Sequence, residues 1–265
     1  MDVTSGLAEV SGGKLYYESA GRGPVLVLLN GGGLDCRMWD DQFTAFAELY
    51  RVIRYDYRGS GRSEPATEKF SHLDDLAGLL DFLKVDIAVL VGASAGGALA
   101  MDYTLAHPKR VRGLVLASTG LSGHQLSEAN QQRIAALLAA AREGNAHDFA
   151  RKVLDDPYFI PATENPSARE KARQILIENI ERFRAEDLAL PPARSAAGRL
   201  AGIGVPALIL LGGRDHPEQL AIGEMLESGM SGAKTVVFFG SGHMVNLENP
   251  DRFNKTVLEF LAERS

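Results

Sequence analysis

Short runs of apolar residues alternate with helix-like segments along the first 120 residues of the chain. The runs at 25–29, 87–91 and 114–117 are apolar throughout, which is typical of strands buried on both faces of a parallel sheet. Leucines recur at helical spacing over 73–83, and a helix rich in small residues is predicted over 95–106. This alternation, with its short connections, predicts a doubly wound, mostly parallel α/β sheet.

The pattern changes after residue 120. Helices are predicted at 131–142, 146–154, 168–183 and 191–200, and no run in this part resembles a strand. Strands at 205–211 and 235–239 and helices at 217–230 and 250–263 then resume the earlier alternation. Residues 1–120 and 201–265 are therefore predicted to form an α/β core, with residues 121–200, here called the cap, inserted as a helical segment.

Composition and charge narrow the class of protein. The 265 residues are 45% hydrophobic and 23% charged, which is typical of a globular chain. The net charge of −6 gives no reason to expect nucleic acid as a partner, and a single cysteine excludes an internal disulfide. The N-terminus lacks the features of a signal peptide, and no apolar run approaches the ~20 residues that span a bilayer. We expect a cytoplasmic protein without a membrane partner; its oligomeric state is not predicted.

A serine stands in the sequence Gly-Ala-Ser-Ala-Gly at 92–96, between the predicted strand 87–91 and the helix that follows. A sharp strand-turn-helix connection strains the backbone of the serine, and small neighbours tolerate the crowding there. The helix N-terminus then directs N–H groups towards developing negative charge. Ser94 is therefore the predicted nucleophile, although a purely structural turn is the alternative.

A serine hydroxyl needs a base, and the base needs an acid that orients it. His243 is the candidate base because it follows the strand 235–239 in a glycine-rich loop. Asp215 is the candidate acid because it lies just past the strand 205–211. Open α/β sheets place functional groups at these strand ends.

Two backbone N–H donors are needed to stabilise an oxyanion. One is expected from Ala95, directly after the nucleophile, and the other from the glycine loop 31–33, where the backbone can approach closely.

Further residues are candidates for the substrate pocket, although packing in the core is an alternative for several of them. They are Gly31, Leu34, Trp39, Tyr158, Phe159, Met244 and Val245.

The chain resembles the α/β-hydrolase superfamily, in the branch of small bacterial esterases, lactonases and cofactor-free haloperoxidase-like enzymes. The motifs that carry the resemblance span most of the chain: 56–63, the turn at Ser94, His107-Pro108, 213–215, Gly242-His243 and Glu248 with Pro250. The resemblance implies an α/β-hydrolase fold with Ser94, Asp215 and His243 as catalytic residues. It also implies Gly32 and Ala95 as the oxyanion donors. Asn30-Gly31 stands where the family usually has His-Gly, and an asparagine can form hydrogen bonds in place of that histidine.

These residues favour a serine hydrolase that cleaves a small-molecule carboxylic ester or lactone. No metal or organic cofactor is implied, since no cluster of His, Cys or carboxylates has ligand spacing in the sequence. Two alternatives remain: a cofactor-free perhydrolase or haloperoxidase-like enzyme with the same triad, and a binder or receptor that uses the pocket without turnover.

Overall fold

A twisted sheet of eight strands forms the centre of the molecule in the computed structural model, which describes residues 2–160, 166–181 and 186–263. In chain order the strands are β1 (Val3–Val10), β2 (Gly13–Ala20), β3 (Val25–Leu29), β4 (Arg51–Tyr55), β5 (Ala88–Ala93), β6 (Val111–Ala117), β7 (Ala207–Gly212) and β8 (Lys234–Phe238). Their order across the sheet is β1-β2-β4-β3-β5-β6-β7-β8. The hairpin β1–β2 and the pair β2–β4 are antiparallel, and all the other pairs are parallel.

Nine α-helices are assigned within the described part of the chain. They are α1 (Asp40–Phe46), α2 (His72–Phe82), α3 (Ala95–Ala106), α4 (Glu128–Arg142), α5 (Ala146–Asp155), α6 (Pro166–Glu178), α7 (Pro217–Gly229), α8 (Val245–Glu248) and α9 (Pro250–Ala262). None of the described helices is long and apolar enough to cross a membrane.

Helices cover both faces of the sheet, which explains why its central strands are apolar throughout. Within β3, Leu26 and Leu28 pack in one buried cluster with residues of α1 and α9. Val27 and Leu29 point the other way, into a second cluster with residues of α2, α3 and α7. Alternate side chains of a strand face opposite sides, so a strand between two helical layers requires apolar residues at every position. The predicted fold class, an α/β-hydrolase fold with a mostly parallel sheet, is confirmed.

The cap contains α4, α5 and α6 and connects β6 to β7. Buried apolar residues of these three helices, such as Phe149 and Ile175, belong to the same cluster as Leu28 of the sheet and Trp39. The three helices therefore pack on one face of the core. Its description as a separate domain stays a prediction.

Three local predictions differ from the structure. Strand β5 does not end before Gly92, because Gly92 and Ala93 continue the ladder with β6. The segment 191–200 is not a helix: it forms bends and a turn before a short 3-10 helix at Leu200–Gly202, and Gly198 has a φ of 75°. Prolines at 191 and 192 lack the N–H groups that a helix interior uses. The helix predicted over 168–183 is α6, which ends at Glu178, and residues 182 and 183 lie outside the described residues.

Candidate active site

Ser94 lies in a tight turn between β5 and α3. Its backbone has φ 51° and ψ −116°, a conformation that L-residues rarely adopt. A side chain on Gly96 would place its Cβ 2.2 Å from the carbonyl oxygen of Leu29, and one on Gly92 would place it 2.4 Å from the carbonyl oxygen of Gly96. The carbonyl of Ser94 accepts hydrogen bonds from the N–H of Gly97 and of Gly120, both at 3.1 Å. The small residues of the motif therefore permit the turn, and a hydrogen bond from the segment after β6 stabilises it.

The three predicted catalytic side chains are joined by hydrogen bonds. His243 Nε2 lies 2.9 Å from Ser94 Oγ, and His243 Nδ1 lies 2.9 Å from Asp215 Oδ2 and 3.0 Å from Asp215 Oδ1. Asp215 also accepts the N–H of His216 at 2.7 Å, and its side chain is 1% exposed. With a proton on Nδ1 directed to the carboxylate, Nε2 faces the hydroxyl as an acceptor. This is the arrangement in which an imidazole can remove a proton from a serine.

The loop that carries Asp215 and the loop that carries His243 are in direct backbone contact. The Arg214 N–H donates to Ser241 O at 2.9 Å, and a Cβ on Gly212 would lie 1.7 Å from Gly242 O. Each loop thus limits the movement of the other. The contact depends on glycine at 212.

Two titratable groups at the site have shifted pKa values. Burial lowers the pKa of the His243 imidazole, but the charge and the hydrogen bonds of Asp215 outweigh burial, so that the net pKa is raised. Burial raises the pKa of Glu248 to about 7. The Glu248 carboxylate accepts the N–H of Gly242 at 3.0 Å and of Met244 at 3.2 Å, on either side of His243.

Gly32 and Ala95, the expected oxyanion donors, both line the cavity above Ser94. Ala95 is the first residue of α3, so its N–H has no carbonyl of its own helix to bind. Gly32 follows Gly31 in a turn closed by the Leu34 N–H on Gly31 O, at 3.3 Å. The N–H of Gly31 itself is directed to Met38 Sδ at 3.2 Å.

Asn30, directly before this glycine loop, connects it to the core by two hydrogen bonds. Its side-chain amide donates to Tyr55 O at 2.7 Å, and its backbone carbonyl accepts the Tyr57 hydroxyl at 3.1 Å. Asn30 is fully buried. It thus attaches the loop to β4 and to the residues that follow β4.

A cavity of about 490 Å³ lies between Ser94 and the cap. Of the predicted pocket residues, Gly31, Tyr158, Phe159 and Met244 line it. Leu34, Trp39 and Val245 do not: all three are fully buried in the core. Trp39 packs against Phe253 of α9, with 6.1 Å between ring centroids. The prediction that these three residues contact the substrate is therefore corrected.

Much of the cavity wall was missed by the sequence-based prediction. Apolar side chains from all three cap helices line it, namely Ile134, Leu137, Leu138, Phe149, Val153 and Leu176. A polar side is formed by His124, Asn130, Arg133, His216 and Gln219. The helical spacing of Ile134, Leu137 and Leu138 indicated an apolar face, but not which surface it would cover.

One group of potential metal ligands occurs among the described residues. Ligand atoms of Asp35, Cys36 and Asp56 lie within 4.8 Å of one another. Asp35 already binds Arg37 and Asn179, and Asp56 accepts the N–H of Cys36. Burial raises the pKa of the Cys36 thiol, which disfavours the thiolate that a metal requires. These three residues are better explained as a buried turn beside the glycine loop.

An eight-stranded α/β sheet with a serine, a histidine and an aspartate joined at its strand ends defines the class of α/β hydrolases. The model of the Alpha/beta hydrolase family matches residues 26–256, and the chain belongs to this family.

Its relatives are hydrolases. The chain is 32% identical to a 2-hydroxy-6-oxononadienedioate/2-hydroxy-6-oxononatrienedioate hydrolase of Burkholderia vietnamiensis, over 94% of this chain and 91% of the relative. Among solved structures, the enol-lactonase of Burkholderia xenovorans superposes with a TM-score of 0.85 at 29% identity, over 97% of this chain and 100% of that one. A thermophilic esterase of Thermogutta terrifontis has a TM-score of 0.84 at 26% identity, over 98% of both chains. The chain is therefore a hydrolase, and its resemblance to the bacterial esterase and lactonase branch is confirmed.

Proposed function

We propose that the protein hydrolyses a carboxylic ester or lactone through an acyl-enzyme on Ser94. The observation that carries this proposal is the unbroken chain of hydrogen bonds from Ser94 Oγ through His243 to Asp215. It supplies a nucleophile, a base and an orienting acid at the floor of one cavity. The relatives include an enol-lactonase and an esterase, which supports both substrate types.

In the first step His243 Nε2 takes the proton of Ser94 as Oγ attacks the carbonyl carbon. The negative charge that develops on the carbonyl oxygen is stabilised by the N–H groups of Gly32 and Ala95. The imidazolium then gives its proton to the departing alkoxide, and Ser94 is left acylated. Asp215 holds the imidazole in the required tautomer and stabilises its positive charge.

In the second step a water molecule replaces the alcohol. His243 removes a proton from this water as it attacks the acyl carbonyl, and the same two N–H groups stabilise the second oxyanion. Collapse of that intermediate returns the proton to Ser94 and releases the acid. For a lactone the alcohol and the acid are parts of one molecule, so a hydroxy acid leaves.

The cavity favours a substrate with an apolar portion of moderate size. The cap contributes most of the aliphatic and aromatic side chains of its wall, among them Leu137, Phe149 and Leu176. Arg133 is the single lysine or arginine among the described residues of the lining, and it is already paired with Asp156. We therefore expect medium-length acyl esters or alkyl-substituted lactones to be hydrolysed faster than acetates.

The test compares Ser94→Ala with the wild type on p-nitrophenyl esters of graded acyl length and on γ-lactones of graded alkyl length. Removing the nucleophile is expected to lower kcat at least about a thousandfold, and to abolish labelling by a fluorophosphonate probe. Ser228→Ala is the control, because Ser228 Oγ only hydrogen-bonds its own helix. A Ser94→Ala enzyme that keeps a tenth of the wild-type ester turnover would refute the proposal.

A further inference from the structure

The backbone N–H of His243 is hydrogen-bonded to the cap. It donates to Tyr158 O at 2.8 Å and to Phe159 O at 2.9 Å. Both carbonyls belong to the residues 156–159 directly after α5, which we call the cap turn. The residue proposed as the base therefore has its side chain fixed by the core and its backbone N–H fixed by the cap.

Asp156 organises the cap turn. Its backbone carbonyl accepts the Phe159 N–H at 3.2 Å, and its Oδ1 accepts the Tyr158 N–H at 2.9 Å. This second bond is an Asx-type turn, in which the side chain replaces a backbone acceptor two residues away. The Asp156 side chain is only 8% exposed. Its carboxylate thus restrains the peptide group between residues 157 and 158, directly before the two carbonyls that bind His243.

The other cap helices hold this turn in place. Arg133 of α4 binds Asp156 Oδ2. Arg169 of α6 donates from Nη1 to Leu154 O at 2.6 Å and to Ile160 O at 2.7 Å, on either side of the cap turn. All three cap helices therefore contact the segment that binds His243, or lead directly into it.

The core fixes the neighbours of His243 but not its own N–H. Glu248 accepts the N–H groups of Gly242 and Met244, the residues before and after it. The position of the imidazole relative to Ser94 depends on the backbone torsions at 243, which the hydrogen bond to the cap turn restrains. A misplacement of about 1 Å in a reacting group can lower a rate about a hundredfold.

We infer that Asp156 is a positioning residue: it shapes the cap turn so that the cap holds His243 in line with Ser94. The inference rests on the proposed function, in which His243 is the base. It implies that the site is complete only when the cap is docked on the core.

Two substitutions separate the roles of the Asp156 carboxylate. Asp156→Asn keeps an oxygen in place to accept the Tyr158 N–H but removes the charge opposite Arg133. Asp156→Glu keeps the charge, but its longer side chain cannot place an oxygen at the same point of the turn. Asp155, which is 58% exposed and pairs with Arg151 at the surface, provides the matched control Asp155→Glu.

The measurements are the rate constant of labelling by a fluorophosphonate probe, and kcat and KM for p-nitrophenyl acetate, whose acyl group is too small to need the cap wall. Asp156→Glu is expected to lower the labelling rate constant and kcat at least about tenfold with little change in KM. Asp156→Asn and Asp155→Glu are expected to stay within about threefold of the wild type. A purely structural role would lower the melting temperature and leave the labelling of the folded enzyme unchanged.

The outcomes distinguish this inference from the proposed function. A folded Asp156→Glu enzyme that is labelled at the wild-type rate would overturn the role of Asp156. An Asp156→Asn enzyme whose labelling rate constant and kcat fall below those of Asp156→Glu would overturn it too. A wild-type enzyme that neither labels nor hydrolyses esters would instead refute the proposed function.

Discussion

The buried carboxyl groups of Asp215 and Glu248 lie close to the same histidine and differ in what they bind. Asp215 faces the imidazole itself, and its two carboxylate oxygens lie 2.9 and 3.0 Å from His243 Nδ1. Glu248 binds two backbone N–H groups and is 7% exposed. Burial raises its pKa to about 7, against the effect of these two donors. Glu248 therefore titrates near neutral pH, at the base of the loop that carries His243.

Glu248→Gln tests the thermodynamic consequence of this raised pKa. A carboxyl group whose pKa is higher in the folded than in the unfolded protein stabilises the fold fully below the unfolded pKa of about 4.3, and this contribution is lost as pH rises towards 7. The free energy of unfolding of the wild type should therefore fall relative to that of Glu248→Gln between about pH 4 and 8, by up to about 4 kcal/mol. At higher pH the difference should stay constant.

Urea unfolding of the two proteins at a series of pH values measures this difference. Glu259→Gln is a suitable control, because Glu259 lies at the surface, with its side chain 65% exposed. The prediction would be contradicted if the free energies of unfolding of the wild type and of Glu248→Gln changed in parallel with pH.

At the scale of elements, the strand-turn-helix connection around Ser94 depends on close backbone approaches. Gly96 lies against β3, and Gly97 lies against Thr119 after β6, where an added Cβ would be 2.0 Å from Oγ1. Helix α3 can therefore begin directly above the sheet only if its first turn carries no bulky side chains.

We expect Gly96→Ala to lower the stability of the protein by at least about 2 kcal/mol, because its Cβ would collide with a strand carbonyl that cannot move freely. This corresponds to a fall of at least about 4 °C in melting temperature, measurable by calorimetry. Gly204→Ala is the control, since nothing lies within 4 Å of a Cβ at that position. Equal melting temperatures for the two variants would show that the turn is less tightly packed than described.

At the scale of the whole molecule, the cap and the core share one apolar cluster. Phe149 of α5 and Trp39, which is the single tryptophan of the chain, belong to the same group of buried residues. A cap packed in this way has no separate core of its own among the described residues of the cluster. We therefore expect it to unfold together with the sheet, although it is inserted between two strands.

Phe149→Ala tests this cooperativity. Loss of the buried ring should lower the free energy of unfolding by about 3–5 kcal/mol. The midpoint followed by Trp39 fluorescence and the midpoint followed by far-ultraviolet circular dichroism should shift together. An early loss of helical signal with an unchanged Trp39 transition would indicate that the cap unfolds by itself.

Most elements could be predicted from the sequence, because their signals are local. Apolar runs marked the strands β3 and β6, and the position of Ser94, Asp215 and His243 just after strands followed from turn-forming residues nearby. The segment 191–200 was wrongly predicted as a helix, because its two prolines can begin a helix as well as prevent one.

The sequence by itself determined the class of fold and the three residues that meet at the strand ends, since the alternation of strands and helices and the turn chemistry are encoded in short segments. Only the tertiary structure decided which apolar residues form the cavity. Trp39 and Val245 do not line the cavity, whereas Leu137 and Phe149 line it together with Ser94. An apolar pattern indicates that a side chain avoids water, but whether it meets another side chain or an open cavity depends on how distant elements pack. The hydrogen bond between the cap turn and His243 was likewise decided only by that packing.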